Sequence, residues 1–106
     1  MWFDSGEIIA VLAITVMTSG GPKFLLWSNK QQSTGLFPVG EFEVVDPRIP
    51  NQWVCKTTPA AHIELSPEEW QSDGFWERYH DEEPQAVEVF HRWRKILSGD
   101  SARALK

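Results

Sequence analysis

Apolar positions change character along the chain. Up to about Leu65 they are mostly β-branched or aromatic, come in short blocks or alternate with polar residues, and are interrupted by Gly, Pro, Asn and Asp; from Ser66 onward they recur at helical spacing. Strands first and helices second predict an α+β domain, not alternating βαβ units. Ile8, Ile9, Val11, Ile14, Thr15 and Val16 form a β-branched run that reads as one central strand. Ser19-Gly20-Gly21-Pro22 then reverses the chain, and Lys23 to Ser28 is the return strand of a hairpin. Asn29 to Thr34 is polar and aperiodic, and reads as an exposed loop ending at the Gly35 to Gly40 stretch. Phe42 and Val44 mark a half-buried strand stopped by Asp46-Pro47. Trp53 and Cys55 share the inner face of the next. Ala61, Ile63 and Leu65 mark a fifth strand after the break at Thr57-Thr58-Pro59. The expected sheet is an antiparallel meander of four or five strands.

Ser66, Pro67 and Glu69 match a capping box, with Leu65 and Trp70 as its hydrophobic staple, and predict a short helix. Asp73-Gly74 ends it and opens a second short helix carrying Phe75, Trp76 and Tyr79. A final amphipathic helix runs from Glu82 or Pro84 to Leu97 or Ser98 with Gly99 as its stop. Its stripe of Ala86, Val89, Phe90, Trp93, Ile96 and Leu97 lies across the sheet. Asp81, Glu82 and Glu83 at its start, and Arg92, Arg94 and Lys95 near its end, suit the helix dipole. Residues 1–99 are expected to form one domain and 100–106 a frayed tail.

Composition narrows the function classes. The chain has 106 residues, 15 acids against 10 bases and a net charge of -5, which argues against a nucleic-acid binder that works by neutralising phosphates. The apolar run from Ile8 to Met17 is about half the roughly 20 residues of a membrane span, and acidic residues precede it, so neither a span nor a signal peptide is expected. One cysteine, Cys55, forms no intrachain disulfide and fits a reducing cytoplasm; with its apolar neighbours it reads as a small buried hydrophobe.

Catalytic motifs are sparse. His62-Ile63-Glu64 matches half of a zinc deaminase signature, but no Pro-Cys-x-x-Cys follows. His80 and Glu83 straddle a helix break, and His91 reads as a solvated histidine on an outer helix face. No P-loop, G-x-S-x-G or HExxH sequence occurs. No metal, cofactor or catalysis is therefore expected. The charge pattern is more informative. From 64 to 88 the acids Glu64, Glu68, Glu69, Asp73, Glu77, Asp81, Glu82, Glu83 and Glu88 stand against Arg78 alone, whereas 89–106 is basic. Of six tryptophans, Trp70 and Trp76 fall inside the acidic stretch, an anchor-and-rim composition suited to a protein interface.

Asp46-Pro47-Arg48-Ile49-Pro50-Asn51-Gln52-Trp53, with Gly74-Phe75-Trp76-Glu77-Arg78-Tyr79-His80-Asp81 and the amphipathic helix after it, resembles small bacterial immunity proteins of toxin-delivery systems. The resemblance spans roughly residues 36–98. It implies a tight protein partner, a toxin whose active site or substrate groove this chain covers. The leading expectation is thus a protein-binding inhibitor of a basic toxin, a nuclease being one such, with Glu68, Glu69, Trp70, Asp73, Trp76, Glu77, Tyr79, Asp81, Glu82 and Glu83 as contact residues. The alternatives are a small enzyme or ligand-binding domain with a pocket beside His62 and Glu64, and a phage or accessory inhibitor of another protein.

Overall fold

The computed structural model describes residues 2–17, 19–58 and 62–106. It shows an α+β fold with two antiparallel sheets and one long C-terminal helix. The elements are β1 (Ile8–Ala10), β2 (Ala13–Val16), β3 (Pro22–Ser28), β4 (Ser33–Pro38), β5 (Glu43–Asp46), β6 (Trp53–Thr58), β7 (His62–Pro67), α1 (Phe75–His80), α2 (Pro84–Asp100) and β8 (Arg103–Leu105). Short 3-10 turns lie at Val39–Glu41 and Glu68–Gln71. One sheet has the order β4-β3-β2-β7-β6, the other β1-β8-β5. Among the described residues, no helix is long and apolar enough to cross a membrane.

The run expected as one central strand is two. It breaks at Val11 and Leu12, both fully buried, because every backbone group of these two residues is held by one of three other segments. Val11 N–H donates to the Ala102 carbonyl at 2.9 Å, and the Val11 carbonyl accepts from the Ser101 hydroxyl. Leu12 N–H donates to the Leu25 carbonyl at 3.0 Å, and the Leu12 carbonyl accepts from the Trp53 indole at 3.0 Å. A buried backbone with all partners satisfied outweighs the intrinsic preference of the run to continue straight. The chain thereby leaves the small sheet and enters the large one.

Gly20 and Gly21 turn the β2–β3 hairpin with positive φ of 93° and 69°, as the sequence predicts. The expected loop after it is shorter: 29–32 is the turn, and Ser33–Pro38 pairs with β3 as an edge strand. The meander is replaced by an order in which β7 returns beside β2, while β5 joins the second sheet. Cys55 is exposed, because strand alternation sends it to a part of the sheet that nothing covers. The break at Pro59 and the position of Ala61 lie outside the described residues.

The tail is also corrected. Residues 103–105 form the middle strand of the small sheet, paired with β1 through Ile9↔Ala104 and with β5 through Val44↔Ala104. Ser101, Ala102 and Ala104 are buried. Helix α2 runs through Gly99 to Asp100 and buries Ala86, Phe90 and Leu97, whereas Ile96 is 41% exposed. Its first turn holds no acid and its last turn no base, so the expected dipole complement lies outside those turns.

Directly opposed residues in the register place Ala13, Thr15, Leu25, Trp27, Leu36 and Glu64 on one face of the large sheet. The α2 helix lies over this face through Phe90, 6.0 Å from Trp27. The opposite face carries Phe24 and Phe37, which meet Phe3 and Phe42 edge to face at 5.2 to 6.3 Å.

Removing residues 101–106 deletes the middle strand of the small sheet and the hydroxyl that holds Val11. The expected outcome is loss of a cooperative thermal transition by circular dichroism. Phe90→Ala should cost about 3–5 kcal/mol in urea unfolding and Ile96→Ala less than about 1 kcal/mol.

Candidate functional site

The acidic stretch begins where β7 ends, and the predicted capping box does not form there. Ser66 and Pro67 still belong to β7, opposite Val54 and Trp53. The Ser66 hydroxyl donates to Glu64 Oε2 at 2.8 Å and accepts from Gln71 Nε2 at 3.1 Å, so it caps no helix. Glu69 turns the other way: its Oε1 accepts from Arg92 Nη2 at 2.7 Å and from the Trp93 indole at 2.9 Å. That indole bond, with the guanidinium beside it, holds the Glu69 carboxyl below its ordinary range.

Trp70, read both as a staple residue and as a contact residue, is a core residue, and its burial removes it from the contact set. It is 1% exposed and stacks on Phe90 with centroids 5.2 Å apart and planes 18° apart. A large ring between sheet and helix excludes more water there than it would at a rim. Glu69 is likewise engaged internally. The other acids behave differently. Glu68, Asp73, Glu77, Asp81, Glu82 and Glu83 are all exposed, and none makes an ion pair among the described residues.

Gly74 sets the direction of α1. Its φ of +75° turns the chain out of the 3-10 segment, in a left-handed conformation that side-chain-bearing residues disfavour. Phe75 is then buried, while Trp76 and Tyr79 are half-buried and Glu77, Arg78 and His80 face solvent. Trp76 packs against Trp70 at 5.5 Å and Phe90 at 6.1 Å; Tyr79 lies 4.6 Å from Phe90. Burial pushes the Tyr79 phenol up, against a hydrogen bond with the Thr34 side chain. Both rings therefore anchor α1 to the core and remain partly exposed.

Two hollows flank Trp76. The larger, about 390 Å³, lies between α1 and the uncovered part of the sheet face, with Ala13, Met17, Leu25 and Leu36 as its apolar lining and Glu64 and His80 at its border. The second, about 300 Å³, is bordered by Lys56, Glu64, Asp73 and Glu77. Glu64 thus borders a hollow, and the helix that faces it there is α1. The His62 side chain lies outside the described residues. Met17, Leu25 and Leu36 were not foreseen as lining residues: their strand alternation was readable, but which helix would leave them uncovered was not.

His91, expected in water, is half-buried with its ring 5.4 Å from Trp27 and 5.2 Å from Phe90. Its Nδ1 accepts from Arg94 Nε at 3.1 Å, and the Arg94 guanidinium lies 4.4 Å over the Trp27 ring. Burial, reinforced by the Arg94 charge, pushes the imidazole below its ordinary range. Among the described residues no three His, Cys, Asp or Glu side chains gather as a metal site. No family model matches the chain, and neither a curated protein nor a solved structure matches it.

The lowered folded values of His91 and Glu69 fix the sign of the acid response. Unfolded chains take up the His91 proton first as pH falls through 6.5, and the Glu69 proton first as it falls through 4.5, so each group withdraws stability below its usual value. Urea midpoints measured from about pH 8 to about pH 3 should fall in two steps. His91→Gln should remove the upper step and Glu69→Gln the lower, the latter at a cost of about 0.5–1 kcal/mol at neutral pH because that carboxylate is exposed.

Proposed function

We propose that this chain is a protein-binding module, an immunity-type inhibitor that docks on a basic toxin surface through the corner built by the 3-10 turn, α1 and the start of α2. The observation that carries the reading is the set of exposed carboxylates at Glu68, Asp73, Glu77, Asp81, Glu82 and Glu83, which have no ion-pair partner among the described residues and are carried by segments packed with the half-buried rings of Trp76 and Tyr79. Uncompensated like charge at one corner destabilises a fold slightly and accelerates encounter with a cation-rich surface. A toxin that cleaves nucleic acid needs such a surface to hold phosphates, and carboxylates from this corner would occupy it instead. Trp70 plays no direct part in this contact; it fixes the rings that do. No catalytic residue is proposed. The apolar hollow bordered by Glu64 favours a second reading as a small-ligand binder, whose affinity would be nearly independent of salt.

For the partner recovered with the full chain from its own cells, the association rate should drop steeply as salt rises from about 50 to about 500 mM. Replacing Glu68, Glu82 and Glu83 together by Gln should slow association several-fold and leave dissociation nearly unchanged. Interferometry on the immobilised partner measures both, and an on-rate indifferent to both changes removes the electrostatic basis of the reading.

A further inference from the structure

The two hollows share Trp76 and Glu64 as lining residues and differ in chemistry on either side of them. On one side the surface is aliphatic: Ala13 and Leu25 are buried at its floor, while Met17 and Leu36 remain 47% and 48% exposed. Its volume suits an aliphatic side chain or two. On the other side Asp73 and Glu77 present exposed carboxylates without an ion pair among the described residues. Two bases lie nearby, Lys56 on the border of this same hollow and Arg78 beside it, each bonded to a backbone carbonyl. Lys56 Nζ donates to the Gln71 carbonyl at 2.9 Å, and Arg78 Nη1 donates to the Asp73 carbonyl at 2.9 Å and borders a separate hollow with Glu69. Trp76 stands between the two regions, held by Trp70, Phe75, Tyr79 and Phe90, so its position is set before anything binds.

We propose that this pair of hollows is the docking cleft for a cationic-amphipathic segment of the partner: an aliphatic side chain enters over Leu25 and Leu36, and a neighbouring arginine lies on Trp76 against Asp73 and Glu77. This rests on the protein-binding reading and specifies the chemistry of its partner. Charge complementarity selects the occupant, because in the second hollow the carboxylates of Glu64, Asp73 and Glu77 outnumber its one base, Lys56. Arginine fits better than lysine, since its planar guanidinium both stacks on an indole and pairs with carboxylates. The exposed acids at Glu68 and at 81–83 then act at longer range, on encounter, while the cleft supplies the short-range contact.

Titrating the ¹⁵N-labelled full chain with acetyl-Leu-Leu-Arg-Arg-amide tests this directly. Saturable shifts are expected at 13–17, 34–36, 64 and 73–77 and at the Trp76 indole, with a dissociation constant of about 1 mM. Glu77→Gln combined with Asp73→Asn should weaken binding at least about fivefold at a given salt, as should Leu36→Ser, while neutralising Glu68, Glu82 and Glu83 changes it less than about twofold. Acetyl-Leu-Leu-Glu-Glu-amide should not bind. The proposal is overturned by equal binding of the acidic peptide or of acetyl-Leu-Leu-amide, the second indicating a plain apolar ligand site. It is overturned equally by shifts confined to 68 and 81–83, or by no shift at a few millimolar of the basic peptide. In each of those cases a salt-dependent on-rate to the recovered partner would keep the protein-binding reading standing without the cleft.

Discussion

Two residues without any solvent-exposed side chain, Val11 and Leu12, carry four hydrogen bonds to three separate parts of the chain. Their backbone joins the small sheet to the large one, the end of α2 to both, and the Trp53 indole to the same point. Buried amides and carbonyls that lose a partner cost about 1–3 kcal/mol each, so the four bonds form or fail together. This joint explains why a strand as short as β8 stays in place at the C-terminus. It is flanked on both sides by strands whose own positions depend on the same two residues.

The joint fixes the large sheet, and Phe90 then fixes what lies over it. Five rings surround Phe90, from Trp27 on β3, Trp70 on the 3-10 turn, Trp76 and Tyr79 on α1, and His91 beside it. A short helix such as α1 has little stability of its own, since helix nucleation is unfavourable at that length. Its orientation comes from the two rings it contributes to this cluster, Trp76 and Tyr79, and from Phe75 packed against both. The cluster covers the sheet only in part, and the uncovered strip between Leu36 and Glu64 becomes the larger hollow. Core packing and the candidate contact surface are therefore two sides of the same aromatic group.

Much of this was legible in the sequence, in proportion to how local the signals were. The hairpin glycines at 20 and 21, the strand at Trp53–Cys55 and most of the α2 stripe depend on short-range spacing and appear; the strand expected at Phe42 and Val44 runs instead from Glu43 to Asp46 with Val44 exposed, and Ile96 leaves the stripe. The failures share a different cause. Ile8 to Met17 looks continuous because the partners that break it come from residues 25, 53, 101 and 102. Ser66 has the composition of a helix cap, yet its strand pairing with Val54 and its bonds to Glu64 and Gln71 win. The strand at 33–38 and the strand at 103–105 have weak propensity of their own and exist because a neighbouring strand offers an edge. Among the proposed contact residues the same rule applies: charged side chains at 68, 73, 77 and 81–83 stay at the surface as expected, whereas Trp70 and Glu69 were claimed by tertiary partners that no local pattern marks.

That contrast bears on why the acids are where they are. Position in a first turn accounts for Glu77 in α1 and for Glu68 and Glu69 in the 3-10 turn but not for the rest: the first turn of α2 has no acid, and Glu83 occupies its N-cap position without a side-chain cap bond. Glu82 even adopts a φ of +60°, a conformation a bulky residue enters at some cost. If they served as a solvated counterweight to the basic C-terminal segment, they would pair with it; of the bases at 92–106, only Arg92 reaches this group, and it reaches Glu69. Exposed like charges that neither cap nor pair contribute little to folding and work slightly against it. The local excess of negative charge beside preorganised rings is then a property of the surface, available to whatever basic group approaches it.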